Sequence, residues 1–202
     1  SGVYDSDPGS YIEFDGRDIT NEPAHVIGSL GLARTFQLLR LYQDMSVINN
    51  VMSGYHTKVT YSFTEAVIGR KKIWDKEKEI KEEMMELLSF VGLADYAEMN
   101  ASELSGGQRR LLVLARAIAS KPKLLMLDEP AAGLSPHNVD NLMRIIMELK
   151  DKFGLTLIII EHILKVVMNT CNTVTVFDHG QKIAEGAPAK VKDDTAVIEA
   201  YL

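Results

Sequence analysis

Residues 124–129 read Leu-Leu-Met-Leu-Asp-Glu, four apolar side chains followed at once by two carboxylates. A short continuous apolar run is typical of a buried strand in a parallel sheet, and we expect that strand over Lys123–Leu127. Open α/β sheets bind ligands at the carboxyl ends of their strands, so Asp128 and Glu129 are expected at a functional edge. A helix cap plus a surface charge would give the same pair of residues.

The flanking segments alternate between helical and extended patterns. A helix is predicted over Gln108–Ser120, and Lys121-Pro122 ends it. After the strand, Ser135-Pro136 provides an N-cap with proline at the first helical position, and Gly154 ends that helix. Its apolar stripe is Val139, Leu142, Ile145, Ile146, Leu149 and Phe153. A second buried strand follows over Leu155–Ile160, so the pattern predicts an α/β fold with a mostly parallel sheet.

The remaining elements are predicted from shorter signals. Helical spacing connects Leu164, Val167, Met168 and Cys171, followed by a strand over Thr173–Phe177 and a turn at His179-Gly180 into Lys182–Ala184. Near the start, Ser10–Phe14 alternates like a half-buried strand and Asp15-Gly16 follows as a turn. An amphipathic helix over Asp75–Val91 ends near Gly92 and buries Ile80, Met84, Leu87, Leu88 and Val91. His56–Lys72 has no clear pattern.

The stretch Leu104-Ser105-Gly106-Gly107-Gln108 opens the helix that precedes the first buried strand. Two glycines let another molecule approach the backbone, and a helix N-terminus presents N–H groups and the positive end of its dipole. The segment therefore suits an anion. A flexible hinge before a capped helix explains the same residues.

Two further polar residues are candidates for the same sheet edge. The second buried strand ends in Glu161-His162, so His162 should lie near Asp128 and Glu129. A structural histidine is the alternative. Gln37, in Arg34-Thr35-Phe36-Gln37, is a fourth candidate, although alone it would be an ordinary loop glutamine.

Composition narrows the class of protein. With 202 residues, 46% hydrophobic and 25% charged, the chain can bury a sizeable core. The net charge of −6 argues against a nucleic-acid partner. Cys171 is the only cysteine, which excludes an internal disulfide and fits a reducing compartment such as the cytoplasm. The apolar runs fall far short of the roughly 20 residues that span a bilayer, so no membrane insertion is expected.

Taken in order, these motifs resemble those of ATP-binding-cassette (ABC) ATPases. Arg34–Gln37 resembles the Q-loop, Leu104–Gln108 the signature motif, Leu124–Glu129 Walker B, Ala131–Pro136 the D-loop and His162 the switch histidine. The Arg-Thr-Phe-Gln and Ala-Gly-Leu-Ser-Pro forms are similar to those of branched-chain amino acid importers. The same is true of Ala184-Glu185-Gly186 and the closing segment Val197–Leu202.

The resemblance implies a P-loop NTPase-like, RecA-like parallel-sheet core with an inserted helical subdomain and the remnant of an antiparallel β subdomain. One nucleotide-binding domain would then cover 1–202. Residues 1–46 would hold the Q-loop region and the β remnant, 47–101 the helical subdomain, and 102–202 the motifs from the signature helix onward. The subunit would be cytoplasmic and peripheral on the inner face of the membrane.

The resemblance also implies roles for the candidate residues, with ATP and Mg²⁺ as ligands. Asp128 and Gln37 would organise Mg²⁺, Glu129 would polarise the attacking water and His162 would contact the γ-phosphate. Gln37 would also couple the site to transmembrane permease subunits, whose cytoplasmic helix would enter a groove that includes Leu38–Asn50. The signature residues Ser105, Gly106, Gly107 and Gln108 would bind the ATP of a second ABC subunit, in a homo- or heterodimer.

One feature of the family pattern is missing. The 202 residues contain no Gly-x-x-x-x-Gly-Lys P-loop and no Gly-Lys dipeptide. We expect a preceding segment of about 40 to 50 residues to carry it, from the size of such a βα unit. Residues 1–202 alone should then be inactive, and a regulatory cassette without ATPase activity is the alternative. ABC ATPases of DNA repair need long coiled coils, for which the 68-position separation of Gln37 and Ser105 leaves no room.

Overall fold

A three-stranded parallel sheet lies at the centre of the computed structural model, which describes residues 7–35, 40–55 and 70–201. The strands are β1 (Glu13–Phe14), β2 (Arg17–Asp18), β3 (Leu32–Arg34), β4 (Leu124–Asp128), β5 (Thr156–Ile160), β6 (Val174–Asp178) and β7 (Gln181–Gly186). The helices are α1 (Ala24–Ser29), α2 (Val47–Tyr55), α3 (Arg70–Phe90), α4 (Gly106–Ala119), α5 (Pro136–Phe153), α6 (Leu164–Thr170), α7 (Pro188–Lys192) and α8 (Thr195–Tyr201). Short 3₁₀ turns occupy Ala94–Tyr96 and Ala101–Glu103.

Strand β4 is the middle strand of the parallel sheet, in the order β3-β4-β5. Leu32 pairs with Leu124, which in turn pairs with Thr156 on β5. At the carboxyl end, Asp128 pairs with Ile160. The parallel sheet and the positions of both predicted strands are confirmed, with boundaries shifted by one residue.

Only one face of this sheet is deeply buried. Leu125 and Leu127 are 1% and 2% exposed, and Leu157 and Ile159 beside them pack on the same core. The expectation that β5 is buried throughout is wrong, because Ile158 and Ile160 on its other face are about half exposed. Helices α4 and α5 contribute the most residues to the described core. They belong to the same hydrophobic cluster as Leu125 and Leu127, so they cover the buried face of the sheet.

Helix α5 follows its predicted pattern closely. Val139, Leu142, Ile145, Ile146 and Leu149 are all buried. Ser135 holds the N-cap position without a side-chain capping bond, and Gly154 ends the helix with φ 62°, a left-handed conformation that glycine adopts at little cost. The prediction that Phe153 belongs to the buried apolar stripe is wrong, because Phe153 lies in the last turn of the helix and is 41% exposed.

A helical layer of α2, α3 and α4 covers the other side of the core. The predicted face of α3 is confirmed, since Ile80, Met84, Leu87, Leu88 and Val91 are all buried. The helix begins at Arg70, before the predicted Asp75, and ends at Phe90, two residues before Gly92, where φ is 74°. The weakly patterned residues 56–69 lie outside the described part of the chain.

Asn50 on α2 fixes the segment that leads into the helix. It is fully buried, and its amide nitrogen donates to the carbonyl oxygens of Tyr42, Met45 and Ser46 at 2.9, 3.2 and 3.1 Å. Its side-chain oxygen accepts from Tyr42 N at 3.0 Å. Because a buried amide is costly without partners, this complete set holds residues 42–46 in one conformation.

Two antiparallel hairpins flank the parallel sheet. The first has the predicted turn at Asp15-Gly16, but its strand is only Glu13–Phe14, and Tyr11 and Ile12 of the predicted strand are 66% and 43% exposed. The second pairs β6 with β7 as a separate sheet. Helix α6, which precedes the second hairpin in the chain, buries Val166. Leu164 of its predicted apolar stripe is 49% exposed. None of the helices in ranges 7–35, 40–55 and 70–201 has the length and apolar character needed to cross a bilayer.

Helices α2 and α4 cross closely at Gly54, where an added Cβ would lie 2.1 Å from the backbone oxygen of Arg116. A backbone atom cannot rotate away, so Gly54→Ala must push the helices apart. We expect the free energy of unfolding to fall by about 2 to 3 kcal/mol, measured by urea denaturation. Gly28→Ala in α1 is the matched control, since a Cβ there meets nothing within 4 Å. Equal stability of the two variants would contradict this packing.

Candidate functional site

The carboxyl end of β4 places Asp128 and Glu129 at the edge of the parallel sheet. Glu129 N donates to Ile160 O at 2.9 Å, which extends the pairing with β5 by one residue. The backbone of Glu129 has φ 46°, an unfavourable conformation for a residue with a side chain. The strand therefore ends in a sharp change of direction at the second carboxylate.

His162 lies close to Glu129, as the sequence predicted. The distance from His162 Nδ1 to Glu129 Oε1 is 3.6 Å, which is within ion-pair range but long for a hydrogen bond. The His162 side chain is 63% exposed and the Glu129 side chain 29%. The two groups thus share an open edge of the sheet, where a bound molecule can contact both.

Asp128 is paired with a residue that sequence analysis did not select. Arg34 at the end of β3 donates from Nη2 to Asp128 Oδ2 at 2.8 Å. Thr35 N donates to Met126 O at 2.9 Å, so β3 stays paired with β4 up to this point. A sequence signal for Arg34 exists, because Arg34 is the first residue of the Arg-Thr-Phe-Gln motif that contains the candidate Gln37. Gln37 itself lies outside the described residues.

The segment after Glu129 is bound by two other side chains. Arg110 on α4 donates from Nη1 to Pro130 O at 3.1 Å, and Glu161 Oε1 accepts from Ala131 N at 2.7 Å. Burial lowers the pKa of the Arg110 guanidinium, and the nearby Glu161 carboxylate opposes that shift. Neither Arg110 nor Glu161 is predicted as a site residue from the sequence, because a long-range contact between a side chain and the backbone leaves no local pattern.

The start of α4 is a capped helix bordered by open space. Ser105 Oγ accepts from Gln108 N at 3.3 Å, and Gln108 Oε1 accepts from Ser105 N at 2.9 Å, which forms a capping box. A Cβ built on Gly106 or Gly107 meets nothing within 4 Å. The capped-helix interpretation is therefore correct, and the two glycines leave room for an anion at the same helix N-terminus.

The donors present fit the ligands that the motifs imply. In the described part of the chain, no group of three or more His, Cys, Asp or Glu side chains could hold a metal ion. Mg²⁺ is commonly held by one or two carboxylates together with substrate phosphates, so a single carboxylate such as Asp128 is sufficient on the protein side. A magnesium-bound nucleotide is thus compatible with this edge.

A groove of about 720 Å³ lies between the end of β3 and the helical layer. Its lining includes Arg34, Thr35, Arg40, Leu41, Tyr42, Ser53, Gly54, Val113, Arg116 and Ala117. Arg116 lies 5.8 Å from the centroid of the Tyr42 ring, a cation–π distance. Burial lowers the pKa of Arg116, and Tyr42 opposes that shift. The groove therefore combines apolar walls with a fixed cation.

Comparison with known protein families identifies the chain. Residues 1–132 match the ABC transporter family model. The chain belongs to the ABC transporter family. A second model, described as the branched-chain amino acid ATP-binding cassette transporter, matches residues 181–202. The family assignment makes the chain an ABC-type ATPase, the subunit that powers a transporter.

Curated relatives align with the chain along its whole length. The branched-chain amino acid transport ATP-binding protein BraF of Pseudomonas aeruginosa is 35% identical over 96% of this chain and 76% of its own. A probable LivG protein of Archaeoglobus fulgidus is 38% identical and LivG of Escherichia coli 32%, each over all of this chain and 77% and 79% of the relative. Both LivG proteins are named branched-chain amino acid transport ATP-binding proteins.

Solved ABC structures share the fold. The ADP conformation of MJ1267, an ATP-binding cassette of an ABC transporter, superposes with a TM-score of 0.82 at 34% identity. A nucleotide-free ATP-binding cassette from an ABC transporter superposes with a TM-score of 0.80, also at 34% identity. Each match covers 100% of this chain and 79% of the other. These likenesses confirm the predicted P-loop NTPase-like α/β class.

The capping box at the start of α4 predicts a measurable loss of stability. Ser105→Ala removes the acceptor for Gln108 N and should lower the free energy of unfolding by about 1 kcal/mol. Ser105→Asp restores an acceptor and adds a negative charge at the helix N-terminus, so its stability should match wild type. Chemical denaturation of the two variants tests this, and an unstable Ser105→Asp would count against the cap.

Proposed function

We propose that this ABC-type ATPase hydrolyses ATP with Mg²⁺ at the β4–β5 edge and thereby drives import of branched-chain amino acids. The observation that carries the site is the Glu129–His162 pair, 3.6 Å apart where two neighbouring strands end. The substrate class is supported by the names of the relatives and by the C-terminal family match. Import would proceed through permease subunits, with this subunit cytoplasmic and peripheral on the inner face of the membrane.

Glu129 is the proposed residue that polarises the attacking water. Its carboxylate is partly exposed and lies at the sheet edge, so it can accept a hydrogen bond from water beside the terminal phosphate. His162 lies on the other side of Glu129 Oε1 and presents a largely exposed ring to the same space. From this position, His162 donates to a γ-phosphate oxygen and holds the Glu129 carboxylate in place.

Asp128 and Gln37 are the proposed protein partners of Mg²⁺. When bound, the ion neutralises charge on the phosphate oxygens of the substrate. Asp128 has one oxygen engaged by Arg34 at 2.8 Å. That bond orients the carboxylate, and Asp128 Oδ1 is the oxygen assigned to the ion or its water shell. Gln37 enters this proposal from its motif alone.

The signature segment is proposed to act on the nucleotide of a second cassette. Ser105, Gly106, Gly107 and Gln108 offer a helix N-terminus with open space around both glycines. A helix end without a lysine gives an incomplete phosphate site, which a partner surface would complete. A homo- or heterodimer of ABC subunits meets that requirement, and each signature segment then faces its partner's nucleotide.

The proposed helical subdomain contains α2 and α3 of the helical layer. Helix α2 begins at Val47, and Ser46 forms a bridge with Asn100 just before the 3₁₀ turn Ala101–Glu103. The chain thus enters α2 and leaves the segment after α3 at one place, which supports a helical subdomain over 47–101 inserted between 1–46 and 102–202. The 720 Å³ groove between this subdomain and β3 is the proposed docking site for a cytoplasmic helix of the permease.

Replacing the proposed catalytic carboxylate tests the chemistry. Glu129→Gln keeps the shape of the side chain but removes its charge, so ATP turnover should fall by roughly 10² to 10⁴. Nucleotide affinity should stay near wild type, because the phosphate contacts remain. The measurement is ATPase activity together with ATP binding, using the protein as its gene encodes it.

Glu148→Gln is the matched control for Glu129→Gln. Glu148 lies on α5 and is paired with Arg144 at 2.7 Å on the exposed surface, so its replacement should leave turnover unchanged. Near-normal turnover in Glu129→Gln would reject Glu129 as the polarising residue and move that role to His162.

The proposed permease groove predicts a separate loss of assembly. Tyr42→Ala removes an exposed ring from the groove and the cation–π partner of Arg116. We expect binding to the permease to weaken about tenfold, equivalent to about 1.4 kcal/mol. Stability of the isolated cassette should fall by at most about 1 kcal/mol. Trp74→Ala, an exposed aromatic on α3 outside the groove lining, should bind normally, and equal effects in the two variants would contradict the site.

A further inference from the structure

The loop that carries Glu129, residues 129–134, is bound at three successive residues, by the end of β5 and by α4. Glu129 N donates to Ile160 O on β5, and Pro130 O accepts from Arg110 Nη1 on α4. Ala131 N donates to Glu161 Oε1 at 2.7 Å. We define this as the Glu129 loop. Its first half is thus held by one backbone bond and by the side chains of Arg110 and Glu161.

We propose that Glu161 is a positioning residue for ATP hydrolysis, whose carboxylate holds the Glu129 loop so that Glu129 stays beside His162. The inference rests on the proposed role of Glu129. Glu161 precedes His162 in the chain, so one strand end both carries the histidine and binds the loop of its partner. The 3.6 Å separation of Glu129 and His162 depends on that shared anchor.

The backbone of Glu129 gives this anchor a physical reason. A φ of 46° costs on the order of 1 to 3 kcal/mol for a residue with a side chain, so the surrounding contacts must impose it. The bond from Ala131 N to a carboxylate is charge-assisted and short, and Ala131 is fully buried. Without it, the loop can relax toward an ordinary turn and move the Glu129 carboxylate away from His162.

The second oxygen of Glu161 argues against a purely stabilising role. Within the described residues, Glu161 Oε2 is buried and has no hydrogen-bond partner. A buried carboxylate oxygen without a partner is costly, and among the described residues the main compensation is attraction to the Arg110 guanidinium. Arg110 and Glu161 therefore hold neighbouring residues of the loop while attracting each other. Such a pair contributes more to geometry than to stability.

Two Glu161 variants and one control test the proposal in the assembled transporter. Glu161→Ala removes the acceptor for Ala131 N, whereas Glu161→Gln keeps a carbonyl oxygen in the same place. Glu148→Ala, on the exposed face of α5, is the matched control. The measurements are kcat and KM for ATP, and hydrogen–deuterium exchange of the backbone amides of residues 129 and 131–134.

We expect Glu161→Ala to lower kcat about 10- to 100-fold, because small displacements of a reacting group carry penalties of that size. KM for ATP should change less than about threefold, since no phosphate contact is removed. Exchange in the Glu129 loop should rise in Glu161→Ala. Glu161→Gln should recover kcat to within about fivefold of wild type and restore slow exchange, and Glu148→Ala should match wild type throughout.

Several results would overturn the proposal. Wild-type kcat and exchange in Glu161→Ala would do so, and so would equal damage in Glu161→Gln and Glu161→Ala. If Glu161→Ala does not fold, Glu161→Met fills the same space without a carboxylate acceptor for Ala131 N, and unchanged kcat and exchange in that variant overturn the proposal. Normal turnover in Glu129→Gln would instead reject the proposed function of Glu129 and the role of Glu161 with it. An inactive Glu129→Gln beside a normal Glu161→Ala rejects only the role of Glu161.

Discussion

Parallel pairing of β4 between β3 and β5 is the constraint on which the site depends. The register places Arg34 near Asp128 and Ile160 opposite it, so three chain segments reach one edge together. None of these segments is near another in sequence. Because a one-residue shift turns every side chain to the opposite face, the buried face of Leu125 and Leu127 also fixes which residues reach the edge. Core packing and site geometry are therefore set by the same register.

Most of the fold could be predicted because its signals are local. The apolar face of α3, the stop at Gly154 and the run that forms β4 depend on spacing within one element. The errors concern burial, which depends on what packs against an element. Ile158, Ile160, Phe153 and Leu164 are apolar and correctly assigned to strands or helices, yet they are exposed. Their sequence pattern contains no information on which face a neighbouring element covers.

The site divides in a similar way. Asp128, Glu129 and His162 could be found because each follows a buried strand, and the ends of parallel strands meet. Arg34 lies within the predicted Arg-Thr-Phe-Gln motif, but Arg110 and Glu161 could not be found, because their contacts join residues 20 and 30 positions apart and are to backbone atoms. A backbone partner has no residue type to recognise. Sequence therefore predicts the candidate catalytic groups better than the groups that hold them.

Helix α4 contributes both to the proposed phosphate site at its N-terminus and to the anchoring of the Glu129 loop. Its first turn carries the open glycines of the signature segment, and Arg110 in the next turn holds Pro130 O. A displacement of α4 that brings Gly106 and Gly107 toward a phosphate must also move or release the Glu129 loop. Interfaces of this kind have few discrete arrangements, because packed side chains and buried hydrogen bonds do not deform continuously. In the proposed mechanism, binding at the helix N-terminus and alignment of Glu129 are therefore coupled through the Arg110 guanidinium, whose burial makes loss of its carbonyl partner costly.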